Sequence, residues 1–262
     1  MRGAVMPWPF RSRSVARARR RPLPAPAVDV DLVLLDSALD GQLVVHHDPH
    51  GVAAEQHRAL RTNLRATNPR RQPRALLFTS AEAGAGKSVS VGNLALAMAE
   101  CDDLSVCLID ADLRAAGLSS LFGLDDYPGL AEVLMQQQEP GRFMCRTPRS
   151  NLWVLPAGRH ELDAGQALAS THLPELIAWL KRRHHYVLVD SAPALLFSDA
   201  GELAKVCDGV ILTVALGSTR KEEADRALAQ LRAAGAQVVG TVVTGAESLL
   251  GAEQPEYADA GI

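Results

Sequence analysis

Ten residues, Thr79-Ser80-Ala81-Glu82-Ala83-Gly84-Ala85-Gly86-Lys87-Ser88, constrain this chain more than any other stretch. They come after the apolar run Ala75–Thr79 and open a helix candidate, Lys87–Glu100. The template G-x-x-x-x-G-K-[ST] is met at Gly86, Lys87 and Ser88, with Ala81 standing for the first glycine. Small residues let successive backbone N–H groups wrap a phosphate, and the helix after them adds its dipole. At this spacing Lys87 meets the β- and γ-phosphate oxygens of ATP, and the Ser88 hydroxyl joins the Mg²⁺ shell. Gly84, Ala85, Gly86 and Val89 complete the expected nucleotide-contacting set. The competing reading is a glycine-rich strand-to-helix turn. The strand before, the helix after and the GKS triplet disfavour it.

The rest of the chain supplies the fold such a loop needs. From Arg74 onward, short apolar runs alternate with helix-like stretches. The strand candidates are Ala75–Thr79, Ser105–Ile109, Leu152–Leu155, Tyr186–Val189, Val210–Ala215 and Val238–Val243. The helix candidates are Lys87–Glu100, Leu130–Gln136, Leu173–Arg183, Ala200–Val206 and Lys221–Ala234, with Val52–Arg65 ahead of the first strand. Apolar strands bounded by helices predict an α/β fold: a doubly wound, mainly parallel sheet flanked by helices, as in P-loop NTPases. Ligands in such sheets sit at the carboxyl ends of the strands. The expected organisation is a basic N-terminal arm and linker (1–41), one domain (42–246) and a C-terminal tail (247–262).

Two strand candidates end in acids. Val106-Cys107-Leu108-Ile109 runs into Asp110-Ala111-Asp112, whose two carboxylates share one side of an extended chain. Tyr186-Val187-Leu188-Val189 delivers Asp190. Carboxylates gathered beside a phosphate loop repel one another unless a cation joins them, and Mg²⁺ is the cation expected there. Ser88, Asp110, Asp112 and Asp190 are therefore the groups gathered around such an ion. Asp199, after the next loop, reads as a cap for the following helix.

Charge narrows the partners. The 262 residues carry a net −3, but residues 1–28 hold seven Arg and no acid, so the remainder stands at −10. A body that acidic is a poor general nucleic-acid binder, and none is expected as a partner. The arm itself reads as a solvated tail, or as a segment touching anionic lipid or an acidic partner. Four cysteines without C-x-x-C spacing, two of them (Cys107 and Cys207) in apolar runs, suit a reduced, cytoplasmic protein. The longest apolar stretches are about seven residues, against the roughly 20 needed to span a bilayer.

Taken together, these motifs resemble the bacterial tyrosine kinases of capsule and exopolysaccharide systems, over some three quarters of the chain. Glu55-x-x-Arg58-x-x-Arg61 resembles the family's E-x-x-R-x-x-R helix. Gly84–Ser88 resembles its Walker A loop, Leu108–Arg114 its Walker A′ motif and Asp190-Ser191-Ala192-Pro193 its Walker B segment. Gly129–Leu134 and Asn151–Gly158 fall at similar places. The resemblance implies that Lys87 and Ser88 bind ATP and Mg²⁺, that Asp110 takes the tyrosine hydroxyl proton, and that Asp112 and Asp190 serve the ion. Catalytic residues are then Lys87, Asp110 and Asp112. It also implies a homo-oligomeric ring with Glu55, Arg58 and Arg61 at the interface. A transmembrane polysaccharide co-polymerase would recruit the kinase to the inner face of the membrane, and its substrates would be protein tyrosines. Read without the family, Glu55 and Arg58 are an i,i+3 ion pair and Arg61 an exposed arginine.

The chain departs from the family in places. Only Tyr257 lies in the tail, one phosphoacceptor candidate where the family has a cluster; Tyr127 and Tyr186 fall inside the folded region. Ala115-Ala116 and Ala83 replace frequent prolines, and Thr244 stands where asparagine often comes after the last strand. Two alternatives compete with a kinase. A non-kinase ATPase switch would cycle its assembly with a membrane partner, although partitioning ATPases carry a lysine where this chain has Glu82. A scaffold with a degraded site would have lost charged site residues, and none is lost.

Overall fold

The computed structural model describes residues 39–159 and 163–245. The basic arm and the tail with Tyr257 lie outside the described residues. Seven strands form one sheet: β1 (Arg74–Ser80), β2 (Val106–Ala111), β3 (Cys145–Arg146), β4 (Leu152–Leu155), β5 (Tyr186–Ser191), β6 (Gly209–Ala215) and β7 (Val238–Thr244). Their order is β3-β4-β2-β5-β1-β6-β7, and every pairing is parallel except β3 with β4. The strand order therefore brings β2, β5 and β1 side by side, and with them the three acidic or phosphate-loop segments.

The strands are buried on both faces because their side chains alternate between two cores. Ala75 and Leu77 of β1, Cys107 and Ile109 of β2, and Val187 and Val189 of β5 join one cluster. Leu76, Phe78, Val106, Leu108 and Leu188 join the other. The first face is covered by α5 (Leu130–Met135), α6 (Ala164–Leu168), α7 (His172–Lys181), α8 (Asp199–Ala204) and α9 (Lys221–Ala233). The second is covered by α1 (Val44–His47), α2 (Val52–Ala66), α3 (Lys87–Ala99) and α4 (Gly117–Leu121). Both faces are thus wound with helices, as the strand pattern predicts.

α3 is apolar nearly all round and buried from Ser90 to Ala99, since α1, α2 and α4 cover its outer side. The one large polar residue of that buried stretch, Asn93, is satisfied: its amide donates to the carbonyls of Gln42 and Val89 and accepts from Val45 N–H. The same bonds explain why Leu43-Val44-Val45, an apolar run too short to type from sequence, forms a helical turn. Leu39, in the linker by the sequence reading, is also buried in this core. Cys107 is buried as expected, whereas Cys207 is only half buried, and all four thiols are free. Among the described residues, no helix is long and apolar enough to cross a membrane.

Candidate active site

The phosphate loop leaves β1 at Ser80 and enters α3 at Gly86. Gly84 and Gly86 have φ of 79° and 77°, a region that β-carbon-bearing residues avoid. Nothing lies within 4 Å of where a Gly84 side chain would begin, so the loop is open there for a ligand. Gly86 precedes the first turn of α3 with no side-chain cap, leaving that turn's amides to an outside acceptor. Thr244, from the end of β7, braces the loop by donating to the Ala85 carbonyl at 2.9 Å. Its methyl group would sit 3.3 Å from any Gly86 side chain.

Lys87 is nearly enclosed. Its Nζ lies 3.1 Å from Asp112 Oδ2 and 3.4 Å from Ser88 Oγ. Burial works against its charge, but Asp190, Asp112 and Asp110 outweigh that, and its pKa is raised. The ammonium is thus held charged, resting on Asp112.

The acids sit where β2 and β5 end. Asp110 and Asp190 are direct cross-strand partners, and both are fully buried. Their surroundings differ. Asp110 Oδ2 accepts from Ser119 N–H at 2.7 Å and Ser119 Oγ at 2.8 Å, and Oδ1 accepts from Asp112 N–H at 3.1 Å. Neither oxygen of Asp190 makes a hydrogen bond, although the Ser88 hydroxyl is near enough to favour its ionised form slightly. Burial pushes both carboxyls above the usual range; Asp112 adds to the rise at Asp110, and Asp110 adds to the rise at Asp190, which is pushed up to about 7. Asp112 Oδ1 accepts from the amides of Arg114 and Ala115.

A buried carboxylate with no donor is costly unless a cation meets it. Asp190, facing Ser88, Lys87 and Asp112 beside an open amide-lined loop, fits a magnesium–nucleotide pair. Among the described residues no cluster of three or more His, Cys, Asp or Glu could hold a metal by itself.

Several contacts were not legible in the sequence. Arg114 grips Asp199 with two bonds, Nε to Oδ2 at 2.7 Å and Nη2 to Oδ1 at 3.1 Å, and stacks on Phe197. Asp199 is therefore no cap: it lies inside the first turn of α8, and its carboxylate serves the loop after Asp112. Ser119 Oγ, besides holding Asp110, accepts from Ala157 N–H at 3.0 Å. Glu132 accepts from Gly129 N–H and Arg159 N–H, fixing the loop after β4. The alternation of acids at strand ends signals none of these, because Arg114 with Asp199, Ser119 with Ala157 and Glu132 with Arg159 join segments far apart in sequence.

Glu55, Arg58 and Arg61 lie on α2, away from the acids, and the arginines have partners within the chain. Arg58 pairs with both oxygens of Glu100 at 2.9 and 2.7 Å and with Glu55 at 2.5 Å. Arg61 donates to Glu100 and to the Ala97 carbonyl, so it is not the plain exposed arginine of the family-free reading. These bonds pin α2 to the end of α3, while the Glu55 side chain stays 65% exposed. Of the other tyrosines, Tyr186 is buried near Asn68, and Tyr127 is exposed.

No protein-family model matches the chain. The tyrosine-protein kinase YwqD of Bacillus subtilis is 30% identical over 209 residues, covering 80% of this chain and 88% of YwqD. The kinase domain of Escherichia coli tyrosine kinase ETK superposes with a TM-score of 0.72 at 26% identity, covering 79% of this chain and 80% of that one. The septum site-determining protein MinD of Pyrococcus horikoshii, in complex with Mg-ADP, superposes with a TM-score of 0.55 at 26% identity, over 65% of this chain and 70% of MinD.

Proposed function

The chain belongs to the bacterial tyrosine-protein kinases, and on that premise we propose that it moves the γ-phosphoryl group of ATP to tyrosine hydroxyls, its own included, to regulate exopolysaccharide or capsule synthesis or export. The observation that carries the reading is the pair of buried carboxylates on β2 and β5 beside the phosphate loop, one of them without a donor.

Each residue has a task in this reading. The loop amides and Lys87 hold the phosphates, and Lys87 exchanges its contact with Asp112 for one with the β- and γ-oxygens. Ser88, Asp112 and Asp190 would hold Mg²⁺, which when bound neutralises charge on those oxygens. Asp110, locked by three hydrogen bonds, offers a carboxylate of raised basicity to the attacking hydroxyl. A phenol pKa near 10 makes proton transfer to it productive only late in the reaction. Positioning and charge neutralisation therefore supply most of the acceleration.

The same reading extends to a ring of identical subunits and to recruitment by a membrane-anchored polysaccharide co-polymerase. Of the three motif residues, exposed Glu55 is the one most available to a neighbouring subunit, with Arg58 and Arg61 supporting the helix from beneath. A non-kinase ATPase switch keeps one argument, the single tail tyrosine.

Phosphotyrosine mapping by mass spectrometry, after incubation with ATP and Mg²⁺, tests the proposal. Phosphate on Tyr257 in the wild type, absent from Lys87→Ala and Tyr257→Phe, is the expected result. No phosphotyrosine, even with a co-polymerase's cytoplasmic segment added, would overturn kinase chemistry in favour of the switch.

A further inference from the structure

The sheet has a second charged end. Loops 67–73 and 182–185 lead into β1 and β5, which pair in register from Arg74 opposite Tyr186, so both loops emerge at the same amino end. Residues 67–74 and 181–185 contain six Lys or Arg, two His and no acid. Arg65 at the end of α2 and Arg149 in the β3–β4 turn lie at this end too. Between the two loops runs an open trough of about 490 Å³ lined by Arg70, Arg71, Gln72, Pro73, Lys181 and Arg182.

Nearby acids neutralise only part of this charge. Asp103 is shared by Arg65 and Arg71, at 3.0 and 2.8 Å. Asp208 pairs with Lys181 at 2.6 Å while its other oxygen caps Ala75 N–H. Arg183 stacks on Trp179 at 3.8 Å; burial and the neighbouring Arg182 lower its pKa, and Glu139 offsets part of that. Arg70 and Arg182 are exposed and make no ion pair among the described residues. Leaving several like charges together costs free energy that a protein avoids unless an anion meets them.

We infer that this end of the molecule docks on the anionic lipid surface of a membrane. The patch is broad and shallow, suited to a plane. The rest of the body is acidic, so an anionic plane attracts this end and repels the others. No exposed large apolar residue lies in the two loops, so the attachment is electrostatic and reversible, without insertion. A strand of six residues spans about 20 Å. The nucleotide loop, at the opposite ends of the same strands, then faces away from the bilayer. The inference does not depend on kinase activity. The seven arginines of residues 1–28 offer a second cationic segment, and the experiment separates the two.

The test is co-sedimentation of the full chain with phosphatidylcholine vesicles with or without about one-third phosphatidylglycerol. The expected result is binding only when phosphatidylglycerol is present, weakening from about 50 to about 300 mM salt. Arg70→Glu/Arg71→Glu/Arg182→Glu should lose at least about tenfold in affinity, with nucleotide binding unchanged. Replacing the seven arginines of residues 1–28 by serine should cost less. If the triple variant fails to fold, Arg70→Gln/Arg182→Gln, which touches no ion pair, takes its place. Equal binding of the wild type and the patch variant overturns the inference, as does equal binding to pure phosphatidylcholine. A larger loss from the arm variant overturns it as well. Tighter binding to duplex DNA than to the anionic vesicles would make the patch a nucleic-acid site instead.

Discussion

Asp110 and Asp190 face each other across adjacent strands, equally buried, yet one accepts three hydrogen bonds and the other none. Both elements are apolar strands ending in an acid, so the difference comes from the segment after each strand. After β2 the chain turns through Arg114 into α4, which returns Ser119 to Asp110. After β5 it passes Pro193, which has no N–H, and Leu195–Phe197 to α8, whose acid is taken by Arg114. The finished carboxylate is built to stay put. The bare one is built to be finished by a ligand.

The largest effect should come from removing the bare carboxylate's charge. Asp190→Asn is isosteric and loses no hydrogen bond. Phosphotransfer should fall about 100-fold or more, measured at saturating ATP and Mg²⁺. The same variant without ligand should be more stable than the wild type at pH 7.5 in urea titrations, because the desolvation of a buried charge that no hydrogen bond meets outweighs its attraction to Lys87. Asp110→Asn has the same change of charge but must turn an NH₂ group toward one of three donors. The two variants should differ in stability by about 1–3 kcal/mol, Asp190→Asn being the more stable. If they match, the hydrogen bonds of Asp110 carry no weight and the contrast fails.

A pH series sharpens the same point. A carboxyl whose pKa is raised on folding binds more protons in the native state than in the unfolded one. Stability from it is full below the unfolded value near 4 and is lost as pH rises through the folded value, about 7 for Asp190. The ligand-free protein should therefore lose stability between about pH 4 and 7 and level off above. Asp190→Asn should flatten the upper part of that slope and leave the part that Asp110, also raised, contributes. Affinity for magnesium–nucleotide should run the other way and rise with pH over the upper part of the range, since the ion needs the ionised acid.

Much of this site was legible in the sequence because it is local. The phosphate loop, the acids at strand ends and six of the seven strands needed only runs of a few residues. Leu152–Leu155 lies where the apolar pattern puts it, and β1, β2, β5, β6 and β7 differ from the pattern by one or two residues at their ends. What escaped is nonlocal. The two-residue β3 is too short for any periodicity and exists only through antiparallel pairing with β4. Asp199 sits just where a capping acid would, and only the fold reveals Arg114, 85 residues earlier, as its partner. Arg58 and Arg61 have the spacing of a helical face, but Glu100, which holds both, lies at the far end of another helix.

The smallest effect distinguishes wiring from chemistry. Ser119 touches Asp110 twice, through its N–H and its hydroxyl, and only the hydroxyl is removed in Ser119→Ala. Asp110 then keeps two of its three donors. Ala157 N–H, which donates to the same hydroxyl at 3.0 Å, loses its partner in a buried place. The expected cost is about 1–2 kcal/mol of stability. Phosphotransfer should drop by about 10- to 30-fold at most, because the phosphate loop, Lys87 and Asp190 are untouched and one lost hydrogen bond to a carboxylate is worth about 1.5–2 kcal/mol. Thermal unfolding and turnover, measured on the same preparation, separate the two terms. A larger loss of turnover from Ser119→Ala than from Asp190→Asn would invert the comparison: the finished carboxylate, held in place from α4, would then limit the reaction, and the bare one would merely attend it.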